Sequence, residues 1–134
     1  MIVLDASAAV ELVVRTERAE RIAGRVLNAS ERLHAPHLIE IEVTQVLRRL
    51  LQSRELSVAR AEQALTDFRD MVIEHHAHGW LLGRIWELRA AMSAYDAAYV
   101  ALAEVLEAPL VTCDERLARA HGHSAHIELI PPPS

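Results

Sequence analysis

The chain has 134 residues, half of them apolar and a quarter charged, with few aromatics, so it is long enough for one domain with an aliphatic core. Its formal charge of −5 argues against broad, non-specific nucleic-acid binding without excluding a local site, and all 14 basic residues are arginine. Without lysine there is no Walker phosphate loop and no phospho-acceptor receiver site. The four glycines cannot make the GxGxxG of a dinucleotide site.

In chain order, Met1–Leu4 reads as a strand and Ala6–Val14 as a helix. A second helix is expected over Glu17–Ala29, with Ile22, Val26 and Leu27 on its apolar side. Leu33–Ala35, closed by Pro36, reads as a second strand. His37–Leu51 is strongly helical, because Leu38, Ile39, Val43, Val46, Leu47 and Leu50 recur at three-to-four spacing. Ser57 caps a further helix running to about Met71. Val72–Glu74 is a third strand, Gly79–Met92 a helix carrying both tryptophans, and Ser93–Glu107 another helix. Pro109–Thr112 is a strand, Asp114–Ala120 a short helix, Ile127–Ile130 a last strand, and Pro131–Ser134 an irregular tail. Strands alternating with helices imply a parallel sheet covered on both faces, in one domain over residues 1–134.

Most acidic residues sit among arginines on helix surfaces. Four do not. Asp5 ends the first strand, and Asp114 follows the strand "LVT" through one residue; in a parallel sheet both open onto the same edge. Each can equally serve as a helix N-cap. Glu42 lies in an apolar stripe, with Leu38 and Val46 four residues either side, so it faces inward or towards a cleft and needs a partner. Asp96 opens the helix of "SAYDAAYVALAE", where Ser93 and Asp96 also form a capping-box variant. Four such carboxylates suit a hard cation such as magnesium or manganese, and phosphodiester hydrolysis is the chemistry that best uses the cluster.

The stretches "MIVLDASAAVEL", "APHLIEIEVTQVLRRL", "AYDAAYVALAE" and "PLVTCDERLA" resemble PIN domains, specifically the VapC toxins of bacterial toxin–antitoxin pairs. The similarity spans nearly the whole chain in the right order, and "YDAAYVALAE" followed by "PLVTCDERL" is its most specific part. The resemblance implies a three-layer α/β/α sandwich with a central parallel sheet and a Mg2+- or Mn2+-dependent endoribonuclease acting on structured RNA, transfer or ribosomal. It assigns the acidic quartet to Asp5, Glu42, Asp96 and Asp114, with Ser7 and Thr112 as supporting hydroxyls. It further implies a VapB-like antitoxin that occludes the site and a homodimeric toxin. One departure is Ala91, which stands where many relatives carry Asn.

Other signals carry less. "EHHAH" (Glu74–His78) brings zinc to mind, with His76 and His78 on one strand face, but a four-ligand set is not visible and a surface histidine cluster is the expectation. Cys113 lacks an activating base and reads as packing; a single cysteine suits a reducing cytoplasm. The opening residues lack the pattern of a signal peptide. Trp80 and Trp86 are expected in the core or at a dimer interface. Arg48, Arg49, Arg54, Arg116 and Arg119 are candidates for phosphate contacts. Two further readings stay open: a metal-dependent phosphohydrolase on another substrate, and a catalytically silent binding protein.

Overall fold

A computed structural model describes residues 1–134. Five short strands, β1 (Ile2–Leu4), β2 (Leu33–Pro36), β3 (Ile73–His76), β4 (Leu110–Thr112) and β5 (Ile127–Leu129), form one sheet in the order β3-β2-β1-β4-β5. Every pairing is parallel. β1, β2 and β4 are buried along their whole length, as the continuous apolar runs of a two-sided parallel sheet require.

The helices are α1 (Ala6–Val14), α2 (Ala19–Val26), α3 (Leu38–Gln52), α4 (Val58–Asp70), α5 (Leu82–Glu87), α6 (Ala94–Leu106) and α7 (Glu115–Ala118). From β1 the chain steps to β2 and then β3 through α1–α4, which pack on one another. It then crosses to the other side of β1, to β4 and β5, through α5, α6 and α7. Right-handed crossovers in opposite directions put the two helix groups on opposite faces, giving three α/β/α layers. In the second group α6 lies directly on the sheet: seven consecutive residues, Ala97–Ala103, are buried, and the four alanines among them let it lie close against β1 and β2. One hydrophobic cluster, including Ile2, Leu4, Ile39, Leu102 and Leu110, joins all layers.

Three expectations are corrected in their limits. α2 is shorter than Glu17–Ala29, because Arg18 is tied by its guanidinium to Glu11 (2.9 Å) and the Cys113 carbonyl (3.2 Å), which holds the preceding residues in a turn. The third strand is displaced to Ile73–His76, where it pairs with β2 as far as Pro36, and leaves Val72 91% exposed. The helix expected over Gly79–Met92 is a 3-10 turn at Gly79–Leu81 followed by α5, after which i→i+3 bonds from Arg89 and Ala91 break the α-helical ladder. Both tryptophans on this segment are exposed, so neither fills the core. No helix is long and apolar enough to cross a membrane.

Candidate functional site

β1 and β4 are neighbours, and the connections leaving them diverge to opposite faces. A crevice opens at such a switch point, beyond the carboxyl ends of the strands. Asp5 stands one residue past β1 and Asp114 two past β4, so both carboxylates are delivered to the crevice by the sheet. α3 contributes Glu42 and the first turn of α6 contributes Asp96. All four line one cleft of about 460 Å³, together with Ser7, Arg49, Tyr95 and Arg116.

Asp5 is 6% exposed and occupies the position before α1, yet its side chain makes no cap hydrogen bond. Its Oδ2 instead accepts the hydroxyl protons of Ser7 (2.5 Å) and Thr112 (2.8 Å). Those hydroxyls are anchored in turn: Ser7 Oγ accepts the Cys113 N–H at 2.9 Å and Thr112 Oγ1 the Asp114 N–H at 3.0 Å. The loop after β4 is thereby strapped to Asp5 and the first turn of α1. Asp114 does cap α7, accepting the N–H groups of Arg116 (2.9 Å) and Leu117 (3.3 Å) on Oδ1. Its capping and its place in the cleft are compatible, because Oδ2 still faces Arg116 at 3.4 Å. At α6 the cap is Ser93, whose Oγ accepts the Asp96 N–H. The Asp96 carboxylate pairs with Arg116 at 3.1 Å.

Burial pushes the carboxyls of Asp5, Glu42 and Asp96 above the usual range, and repulsion adds to it: from Asp96 on Asp5, from Asp5 and Asp96 on Glu42, and from Asp114 on Asp96. Hydrogen bonds from Ser7 and Thr112 oppose the effect at Asp5, as the Arg116 charge does at Asp96. The quartet is loosely gathered: no three of its members bring oxygens within 4.8 Å of one another. Such a set of oxygen donors, raised in pKa by burial and mutual repulsion, fits a hard divalent cation that draws them together. Cys113 is no competing nucleophile, since burial pushes its thiol up to about 12.

The PIN-domain family profile matches residues 2–122. The chain is 44% identical over 131 residues to ribonuclease VapC9 of Mycobacterium tuberculosis, covering 98% of this chain and 99% of that protein. It is 39% identical to ribonuclease VapC12 of the same organism, covering 97% and 99%. The chain is a PIN-domain protein of the VapC family. Among solved structures, VapBC2 of Rickettsia felis bound to a promoter DNA fragment superimposes with a TM-score of 0.69 at 15% identity, covering 96% of this chain and 98% of that one. VapC20 of M. tuberculosis, a sarcin-ricin-loop-cleaving toxin, does so with 0.67 at 16% identity, covering 92% and 97%.

In this VapC-family chain the sequence reading passes over Tyr99. It is buried in α6, and its hydroxyl donates to Glu42 Oε1 at 2.7 Å. The signal was available: Tyr99 is three residues after Asp96 and so on the same helix face. Of the five arginines considered for phosphate contact, Arg49 and Arg116 line the cleft. Arg119 lines an adjoining hollow with Asp96 and Arg116, while Arg48 and Arg54 reach neither.

Proposed function

We propose that this chain is the toxin of a type II toxin–antitoxin pair, a Mg2+-dependent endoribonuclease (with Mn2+ as a substitute) that cuts structured transfer or ribosomal RNA and so arrests translation. The observation that carries the reading is the meeting of Asp5, Glu42, Asp96 and Asp114 in one cleft of a chain 44% identical, nearly end to end, to a protein named a ribonuclease. The reading takes residues 1–134 as a single PIN domain with an irregular tail at 131–134, working in the cytoplasm.

In this mechanism Asp5 and Asp96 would hold the cation directly, and Glu42 and Asp114 directly or through water. A cation held there would supply a more acidic water as nucleophile for the RNA phosphate and would offset charge on the leaving oxygen. Ser7 and Thr112 fix the Asp5 carboxylate, and Tyr99 fixes Glu42. Arg116, 75% exposed, is free to exchange its carboxylate partners for a substrate phosphate, and Arg49 adds positive charge across the cleft. Ile41 and Tyr95 are exposed apolar groups on the rim, which supports a VapB-like antitoxin segment lying over the cleft. The exposed Trp80, Leu82 and Trp86 support a homodimer.

The test is cleavage of total RNA by antitoxin-free protein with magnesium, manganese or chelator, beside Asp96→Asn. Discrete fragments that need metal and vanish in the variant are expected. Full-rate cleavage in chelator overturns the mechanism. No cleavage by folded, antitoxin-free protein overturns the enzyme reading and leaves a binding protein.

A further inference from the structure

The strongest concentration of histidines in the chain lies away from the carboxylate cleft, on the β2–β3 pair. In the parallel register His34 faces Glu74 and Pro36 faces His76. Glu74 and His76, two residues apart on the edge strand, therefore project on the same side as His34. His34 Nδ1 lies 2.9 Å from His76 Nε2 and 3.5 Å from Glu74 Oε2, and the three ligand atoms fall within 4.8 Å of one another. It is the one group of three or more histidine, cysteine or acidic side chains in the molecule that is so tightly gathered. None of the three lines the carboxylate cleft.

We propose that His34, His76 and Glu74 form a binding site for a zinc-class divalent cation at the edge of the sheet. Two imidazole nitrogens and one carboxylate oxygen are a donor set that zinc accepts, with a water in the fourth position, and the nitrogens select against magnesium. The rings already aim at each other, with centroids 5.2 Å apart. In the hydrogen-bonded pair one nitrogen carries the shared proton. A change of tautomer at that ring moves the proton to its far nitrogen and leaves two lone pairs facing the cation, with no net proton loss from neutral rings. His34, 5% exposed, is held in place by its burial on the neighbouring strand. Tetrahedral zinc–nitrogen bonding sets the two nitrogens about 3.3 Å apart. The pair must therefore open slightly from 2.9 Å, which His76 on the edge strand can allow. The Glu74 side chain is 64% exposed, so the site is open to solvent on one side.

His78 is not part of the set, because its Nε2 accepts the Leu38 N–H at 3.1 Å. The third ligand is His34, on the neighbouring strand and remote in sequence, so the motif "EHHAH" by itself holds only two of the three.

The test is isothermal titration of zinc chloride into the full-length protein in saturating magnesium chloride, which occupies the carboxylate cleft, beside His76→Ala, Glu74→Gln and Asp96→Asn. Neither His76 nor Glu74 belongs to the core, so both variants fold, which circular dichroism checks. One zinc per chain is expected, with affinity reduced about tenfold or more by His76→Ala, reduced also by Glu74→Gln, and unchanged by Asp96→Asn. An independent readout is Trp80, whose ring lies 6.1 Å from that of His76: nickel should quench its fluorescence in the parent and not in His76→Ala. No zinc binding, or binding untouched by His76→Ala, overturns the proposal. Binding that is lost in Asp96→Asn instead assigns the zinc to the carboxylate cleft and also overturns it.

Discussion

The Tyr99 hydroxyl and the Glu42 carboxylate meet at 2.7 Å, joining α6 on one side of the cleft to α3 on the other. This bond holds down the pKa of a carboxyl that burial pushes up. Tyr99→Phe removes the donor and little else, since the ring stays in its buried slot. The acid limb of the pH–rate profile should move to higher pH and the rate at neutral pH should fall. The stability loss should be about 0.5–1.5 kcal/mol, the usual value of one internal hydrogen bond. Rate profiles from pH 5 to pH 8 and thermal melts, taken side by side, check both parts; an unmoved acid limb would show that Glu42 takes no part in the chemistry.

Thr112→Val should cost more than Tyr99→Phe. Thr112 is fully buried, donates to Asp5 and accepts the Asp114 N–H, so one substitution leaves a buried carboxylate short of a donor and an N–H without its acceptor. A loss of about 1–3 kcal/mol is expected, together with weaker metal binding. Urea unfolding and a magnesium titration of the variant measure the two effects separately.

Arg116→Ala should behave differently, because an exposed ion pair contributes no more than about 1 kcal/mol. With the guanidinium gone, Asp96 and Asp114 lose the positive charge that competes with a cation. The magnesium concentration for half-maximal activity should fall, while KM for RNA rises. A rise in the magnesium requirement would contradict this assignment.

The pH dependence of stability has opposite signs in two windows. Asp5, Glu42 and Asp96 have folded pKa values raised above their ordinary 3.8, 4.5 and 3.8, so between the ordinary and raised values the native state binds more protons than the unfolded state. Metal-free protein should therefore gain stability as pH falls from neutral through the raised values. Glu104, held by Arg84 at 2.8 Å, is pushed down to about 2, and Arg25 lowers Glu128. The stability these two contribute is present above 4.5 and is lost as pH falls from there towards 2. A melting temperature that rises and then falls on acidification in chelator, with the rise flattened by saturating magnesium, is the expected curve.

Asp5 and Asp114 were legible in the sequence because a carboxylate just past an apolar strand is a local pattern. That β4 lies beside β1 is a matter of strand order, which no local pattern encodes. α3 was readable from its periodicity and the start of α6 from its capping pattern, and Ser57 and Ser93 do cap their helices. β3 was misplaced because its pairing with β2 continues through histidines, which carry no strand signal of their own. The His34–His76 contact was hidden for a related reason: it is set by register across two strands, so the motif "EHHAH" does not contain it.

The cleft takes Asp5 from the start of the chain and Asp114 from near its end, and the bonds among Ser7, Thr112 and Asp5 exist only once β4 has docked against β1. During synthesis the first carboxylate therefore waits for almost the entire polypeptide before its neighbours arrive. A chain stalled before β4 lacks Asp114 and so has no assembled quartet. For a protein whose proposed target is the translation apparatus itself, the order of the strands would withhold the site until Asp114 has been made and β4 has docked.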